Sequence, residues 1–244
     1  MTHCILIPTY NNATTLFDVV SRVLAVCGDV LVVNDGSTDA TMEVLQPLED
    51  RIHVISYERN KGKGYALRKG FEWARANGYD YAITIDSDGQ HNPGDIPLLV
   101  QAIKQSNNQA ILVVGSRNLA ADGMPAQNSF ANHFSNFWFL LQTGTRLPDT
   151  QTGFRAYPLK RLPCLKLMLH RYESELQLLV LSAWKGVRLV PEEVSVRYAP
   201  DRVTHFRPFM DFFRISILNT VLCLLALVYG WPRMAIQKMK GGSR

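Results

Sequence analysis

Only four cysteines occur in the 244 residues, at positions 4, 27, 164 and 223, and none stand at C-x-x-C spacing. Their scatter excludes a disulfide frame and a Cys-based zinc site, and reads as buried thiols of a reducing compartment. No G-x-G-x-x-G follows the first apolar run, and no G-x-x-x-x-G-K-[ST] occurs anywhere, so dinucleotide and P-loop readings lose their main support. Residues 3–8 lack the charged start and apolar core of an export signal, so the globular part is expected to stay in the cytosol. Internal repeats, low-complexity tracts and long linkers are also missing. What is present is a chain 47% hydrophobic, enough for one substantial core, with a formal net charge of +5. That charge suits nucleic acid, anionic lipid or phosphorylated substrates alike. No nucleic-acid recognition motif accompanies it, which makes the first of these the weakest.

Short apolar runs at 3–7, 29–33, 52–55, 81–85 and 110–114 alternate with helical patterns. Residues 13–26 and 64–77 are read as helices, and Ser37-Thr38-Asp39 as the cap of another reaching about residue 48. Five strands separated by helices imply an α/β fold with a parallel sheet. Ligands of such sheets bind beyond the carboxyl ends of the strands, and three ends here are polar: Pro8-Thr9-Tyr10-Asn11, Asn34-Asp35-Gly36-Ser37 and Asp86-Ser87-Asp88-Gly89-Gln90-His91. The last places two carboxylates one residue apart. These are hard oxygen ligands, suited to holding Mg²⁺ or Mn²⁺ against a diphosphate. Lys61-Gly62-Lys63-Gly64, at a helix start, can approach a phosphate through amides and ammonium groups. His91 is within reach of a metal by spacing but is read first as closing a turn. Residues 119–127, with Gly123 and Pro125, are read as a mobile loop.

In order and spacing, Ile7-Pro8-Thr9-Tyr10-Asn11-Asn12, Asn34-Asp35-Gly36-Ser37-Thr38-Asp39, Asn60-Lys61-Gly62-Lys63-Gly64 and Asp86 to His91 resemble the family 2 glycosyltransferases of GT-A fold. Gly115-Ser116-Arg117 and Asp149-Thr150-Gln151-Thr152-Gly153-Phe154-Arg155 look like the branch of dolichyl- and polyprenyl-phosphate mannose or glucose synthases. The resemblance implies a three-layer α/β domain with a mainly parallel sheet over residues 1–205. It implies Pro8, Tyr10, Asn11 and Asp35 on the base and ribose of a nucleotide sugar, Lys63 facing the diphosphate, and Asp86 near ribose or sugar. Asp88, with Gln90 and Asp86, is the implied metal site. Asn34 stands where the family commonly has Asp, which removes a charge without unfolding the loop.

Members of this family invert the anomeric centre in one in-line displacement. A hydroxyl acceptor needs a general base, and Glu173 or Glu175, falling where relatives carry an acid at a helix start, supplies candidates, Glu173 first. A lipid phosphate is already anionic and needs orienting cations instead, for which Arg117, Arg155, Arg202, His205 and Arg207 are candidates, Arg117 and Arg202 foremost. The expected activity is transfer of a hexose from a UDP- or GDP-sugar to a lipid, foremost polyprenyl phosphate, at the cytoplasmic membrane face. The alternatives are a hydroxyl acceptor served by Glu173, and a non-catalytic nucleotide-sugar-binding membrane protein.

Residues 206–244 form a second segment. Residues 206–214 are amphipathic, and 215–231 then carry no charge. As a helix these seventeen residues reach ~25 Å, short of a ~30 Å hydrocarbon core, so a helix in one leaflet or a shallow hairpin is preferred to a span. A core helix or oligomer interface is the competing reading. A second apolar stripe, Phe130, Phe134, Phe137, Trp138 and Leu141, is read as core before acceptor groove.

Overall fold

The computed structural model describes residues 1–107, 110–117, 126–197 and 208–241. Most of the expected loop at 119–127, together with Arg202, His205 and Arg207, lies outside the described residues.

Among the described residues seven strands form one sheet, in the order β3-β2-β1-β4-β6-β5-β7. They are β1 (His3–Thr9), β2 (Val30–Asn34), β3 (His53–Ser56), β4 (Tyr81–Thr84), β5 (Ile111–Arg117), β6 (Arg155–Pro158) and β7 (Arg188–Val194). All five strands read from the apolar runs are present, and pairing is parallel except where β6 runs antiparallel between β4 and β5. Except in the exposed edge strand β3, their continuous apolar character has a plain cause, since both sheet faces are covered. Leu6, Leu31 and Val33 pack into one core with Phe71 and Trp184, while Ile5, Ile7, Val32 and Ile83 pack into the other with Leu16 and Val20.

The helices are α1 (Ala13–Leu24), α2 (Lys63–Ala76), α3 (Ile96–Gln105), α4 (Ala126–Thr143), α5 (Glu173–Trp184), α6 (Pro208–Leu225) and α7 (Trp231–Gly241). The helix expected to be capped by residues 37–39 is instead a 3₁₀ segment, Glu43–Arg51, interrupted by Pro47. Proline removes an amide donor from a helix interior, and Asp39 spends its carboxylate on Ala13 and Thr41. The thiols also correct the reading above: all four are free, but Cys164 is exposed.

In α4 the inward side is largely polar, with Asn132, Ser135 and Gln142 buried beside Phe139, while Phe137 and Leu141 of the apolar stripe are exposed. The stripe is therefore not simply core. Between α6 and α7 lies a π segment, Ala226–Gly230. It keeps Leu222, Ala226 and Gly230, spaced by four, in line on the protein side, where a regular 3.6-residue helix would turn each ~40° from the one before.

Candidate active site

Because β2 and β4 flank β1, the chain leaves these strands in opposite lateral directions and opens a crevice at their carboxyl ends. On its β2 side, Asn11 adopts the left-handed region at φ 47°. Its N–H donates to Ser37 Oγ at 2.9 Å and its Oδ1 accepts from the Thr38 N–H at 2.7 Å, joining the loops after β1 and β2. Pro8 is buried in β1 in register with Val33, and Tyr10 is half-buried at the strand's end. Asn34 holds the loop fold in place of Asp: Oδ1 accepts from the Ser37 N–H and Nδ2 donates to Ser56 Oγ, each at 3.0 Å.

Asp35 is buried, and its two carboxylate oxygens accept from the N–H groups of Lys61 and Gly62, each at 2.8 Å. Burial, then the adjoining Asp35 carboxylate, raises the Tyr57 phenol above its usual pKa. Asp35 thus fixes the loop that opens α2, with lone pairs remaining on each oxygen for a nucleoside donor group. Gly36, at φ 69°, lies against the Arg59–Asn60 backbone where no Cβ fits.

At the centre, Lys63 Nζ bridges Asp86 Oδ1 at 2.7 Å and Glu175 Oε2 at 2.9 Å. Burial works against the Lys63 charge, but the two carboxylates outweigh it and raise its pKa. Burial likewise opposes Asp86 ionisation, and Lys63 overcomes it, leaving Asp86 below its usual range. Asp88 has no such cation. Burial and then the Asp86 charge push its pKa up, while Gln90 donates to it through backbone N–H at 3.1 Å and through Nε2 at 2.5 Å. An under-compensated, half-buried carboxylate beside a second one fits a divalent cation. Among the described residues no three His, Cys, Asp or Glu gather to hold a metal alone, so Asp88 and Asp86 suit an ion that also takes phosphate oxygens and water.

His91 is buried, with Nε2 3.5 Å from Thr152 Oγ1, its ring 5.4 Å from Phe154 and its Nδ1 unpartnered. Glu173 and Glu175 both stand in the buried first turn of α5, as expected of a helix start. Glu175 is the one that joins the lysine, whereas Glu173 Oε2 is buried without a partner.

Arg117, the last residue of β5, forms a two-point pair with Asp149, Nε to Oδ2 at 2.5 Å and Nη2 to Oδ1 at 3.0 Å. Asp149 is fully buried, also accepts from Asn132 Nδ2 at 2.9 Å, and sits below the usual carboxylate range because Arg117 more than offsets its burial. Sequence reading quoted Asp149 within a motif but gave it no role. Arg155, expected at an acceptor, is instead fully buried: Nη1 donates to Tyr157 Oη and the Glu175 carbonyl, and Nη2 to the Thr150 carbonyl. It ties the Asp149 loop to α5. Gly153 packs against the Asp86 carboxylate, a contact that spacing alone does not reveal.

Beside this pair, His133, Asn136, Phe137, Leu140, Arg146, Leu147 and Pro148 line an open, mostly apolar groove of about 460 Å³.

Residues 4–162 match the family model described as glycosyl transferase family 2. A UDP-N-acetylglucosamine--dolichyl-phosphate N-acetylglucosaminyltransferase of Methanococcus voltae is 30% identical over 240 residues, covering 88% of this chain and 95% of that one. A polyprenol monophosphomannose synthase of Mycolicibacterium smegmatis is 32% identical over 162 residues, 63% and 60% of the respective chains. Glucosyl-3-phosphoglycerate synthase from Mycobacterium tuberculosis, crystallised with Mn²⁺, UDP and phosphoglyceric acid, superposes with a TM-score of 0.65 at 19% identity over 92% of this chain and 78% of that one. Sheet order, crevice and matched residues agree: the chain is a glycosyltransferase of GT-A fold and belongs to glycosyl transferase family 2, with relatives in its polyprenyl-phosphate sugar synthase branch.

Proposed function

We propose that this enzyme transfers a hexose from a UDP- or GDP-sugar, with Mg²⁺ or Mn²⁺ and with inversion, to a lipid acceptor, polyprenyl phosphate, at the cytoplasmic membrane face. The observation that carries the lipid assignment is the apolar groove, which begins at Pro148, next to the Asp149 that holds Arg117. A groove of that character suits hydrocarbon, and the Arg117 guanidinium, held by the neighbour of its lining residue Pro148, suits the acceptor phosphate. The names of the Methanococcus and Mycolicibacterium relatives support the same class.

In this reading Asp35 and the loop residues Pro8, Tyr10 and Asn11 receive the nucleoside. Asp88, oriented by Gln90, and Asp86 would hold the cation, whose contribution when bound is to offset charge on the departing nucleoside diphosphate. Lys63, kept protonated between Asp86 and Glu175, adds fixed positive charge at the same edge. Arg117, held by Asp149, orients the acceptor phosphate for attack on the anomeric carbon. Arg202 and His205 are proposed to add charge there. An anionic phosphate needs no base.

The test is transfer of labelled sugar from a panel of UDP- and GDP-sugars into the organic phase of membranes, followed by mild acid, with Glu173→Gln run in parallel. Acid-labile label and near-normal turnover of the variant are expected. Acid-stable label with a loss of ~100-fold or more in the variant would instead give a hydroxyl acceptor with Glu173 as base. Binding of nucleotide sugar without any transfer would make the protein non-catalytic.

A further inference from the structure

The C-terminal helices α6 and α7 pack along one side only. Leu218, Asn219, Leu222, Ala226 and Gly230 are buried, Tyr229 meets Trp184 edge-on, and Gln237 Nε2 donates to the Trp184 carbonyl at 3.3 Å. Residues 213–237 are long and apolar enough to cross a membrane, yet this contact with the catalytic domain runs from 218 to 237. A crossing helix would draw Gln142 and α5 into hydrocarbon with it, and α5 begins at Glu173 and Glu175.

The opposite side is a ridge of Phe213, Ile217, Val221, Leu224, Val228 and Trp231, with Leu224 62% and Val228 75% exposed. Two of its uncharged polar residues turn from the ridge or spend their hydroxyl on the backbone. Asn219 turns inward, its Oδ1 accepting from Gln142 Nε2 at 3.0 Å, and Thr220 Oγ1 donates to the Ser216 carbonyl at 3.0 Å. After Asp211 the sequence holds no acid, while Arg214, Arg233, Lys238, Lys240 and Arg244 supply cations.

We propose that this ridge docks in the plane of an anionic bilayer, so that the enzyme is monotopic, lying on one leaflet without a transmembrane segment. Apolar side chains enter the headgroup boundary, and the tail's cations meet anionic lipid. A second copy is a poorer occupant. A parallel two-fold pairing of the ridge would set the cationic tails side by side with no acid after Asp211 to balance them. The inference deepens the lipid-acceptor reading and rests on it for the position of the site. From Asn132, which contacts Asp149, to Gln142, which contacts Asn219, α4 runs ten residues, or ~15 Å. Docking in plane therefore keeps Asp149, with the Arg117 it holds, about 15 Å along α4 from the docked helix.

The test is flotation of the full chain with phosphatidylcholine vesicles, with and without phosphatidylglycerol, in the absence of donor and acceptor. Expected is binding to the anionic vesicles about tenfold stronger than to the neutral ones, lost in Leu224→Glu/Val228→Glu while transfer to a short water-soluble prenyl phosphate persists. In sealed vesicles a membrane-impermeant maleimide is expected to label Ser243→Cys from the same side as the exposed native Cys164. Protection of residue 243 with labelling of Cys164 would establish a span and overturn the proposal. So would absence of binding to both vesicles, with a dimer in sedimentation that the double variant dissociates, since the ridge would then belong to a second copy. Because binding is read without substrates, a failure of docking is distinguishable from a failure of the transferase assignment.

Discussion

At residue scale, close packing around two side chains gives the sharpest tests. A methyl group at Gly153 would press on the Asp86 carboxylate, which Lys63 already holds from the other side. Gly153→Ala is therefore expected to shift Asp86 and lower kcat/KM by ~10-fold or more, with a smaller effect on melting temperature; unchanged steady-state kinetics would mean that Asp86 need not stay where it is. His91 makes a second case. Burial lowers its pKa from 6.5 to about 4, so the unfolded chain takes up this proton at a higher pH than the folded one. Its contribution to stability is complete above pH 6.5 and is lost as the pH falls towards 4, by about 3 kcal/mol in all. Urea denaturation of wild type and His91→Phe across that range should give a difference that changes with pH in that direction. A difference independent of pH would contradict the buried neutral imidazole.

At the scale of elements, strand character was legible where the sequence gives short, continuous apolar runs such as 3–7, which suit a strand covered on both faces. The two missed strands lack such a run for different reasons. β6 carries Arg155 and Pro158, and β7 is an edge strand with exposed positions, Pro191 and two glutamates, a composition tolerated only where one side needs no ladder partner. The acidic pair and the Asp35 loop were readable from motifs. The partners of Arg117 and Lys63 were not, since Asp149 and Glu175 reach them from distant segments through the sheet. Arg155 misled because an arginine in a polar motif looks like a surface ligand until its three carbonyl and hydroxyl partners are seen. The π segment was likewise hidden, and it has a test. Gly230 lies against the Trp184 indole with no room for a Cβ, so Gly230→Ala must part α7 from α5 or distort the segment. The expected cost is 1–3 kcal/mol, read as a lower denaturant midpoint, with hydrogen exchange accelerated first at the tail; an unchanged midpoint would show the contact to be soft.

At the scale of the whole molecule, the tail belongs to the core as well as to the surface. Leu218, Leu222 and Ala226 are buried in the same cluster as Leu6, Phe71 and Trp184, so the side of the sheet that carries α2 and α5 is completed by residues far beyond the family match at 4–162. Burying a leucine side chain contributes about 1.5–3 kcal/mol, and two leucines with the surrounding contacts approach the ~5–15 kcal/mol that a domain of ordinary stability has in total. Removing residues 208–244 also strips the cover from Trp184 and leaves the Gln142 amide without Asn219. The truncated chain is accordingly expected to aggregate or to melt far below the full protein, even when the full protein is kept soluble by detergent. Size-exclusion chromatography and thermal denaturation of the two forms in the same detergent decide the matter. A monodisperse truncation with unchanged melting temperature and intact UDP or GDP binding would mean that the tail is only an anchor. The predicted collapse would mean that one helix serves fold and membrane together, its inner side closing the core that positions Glu175 and its outer side meeting lipid.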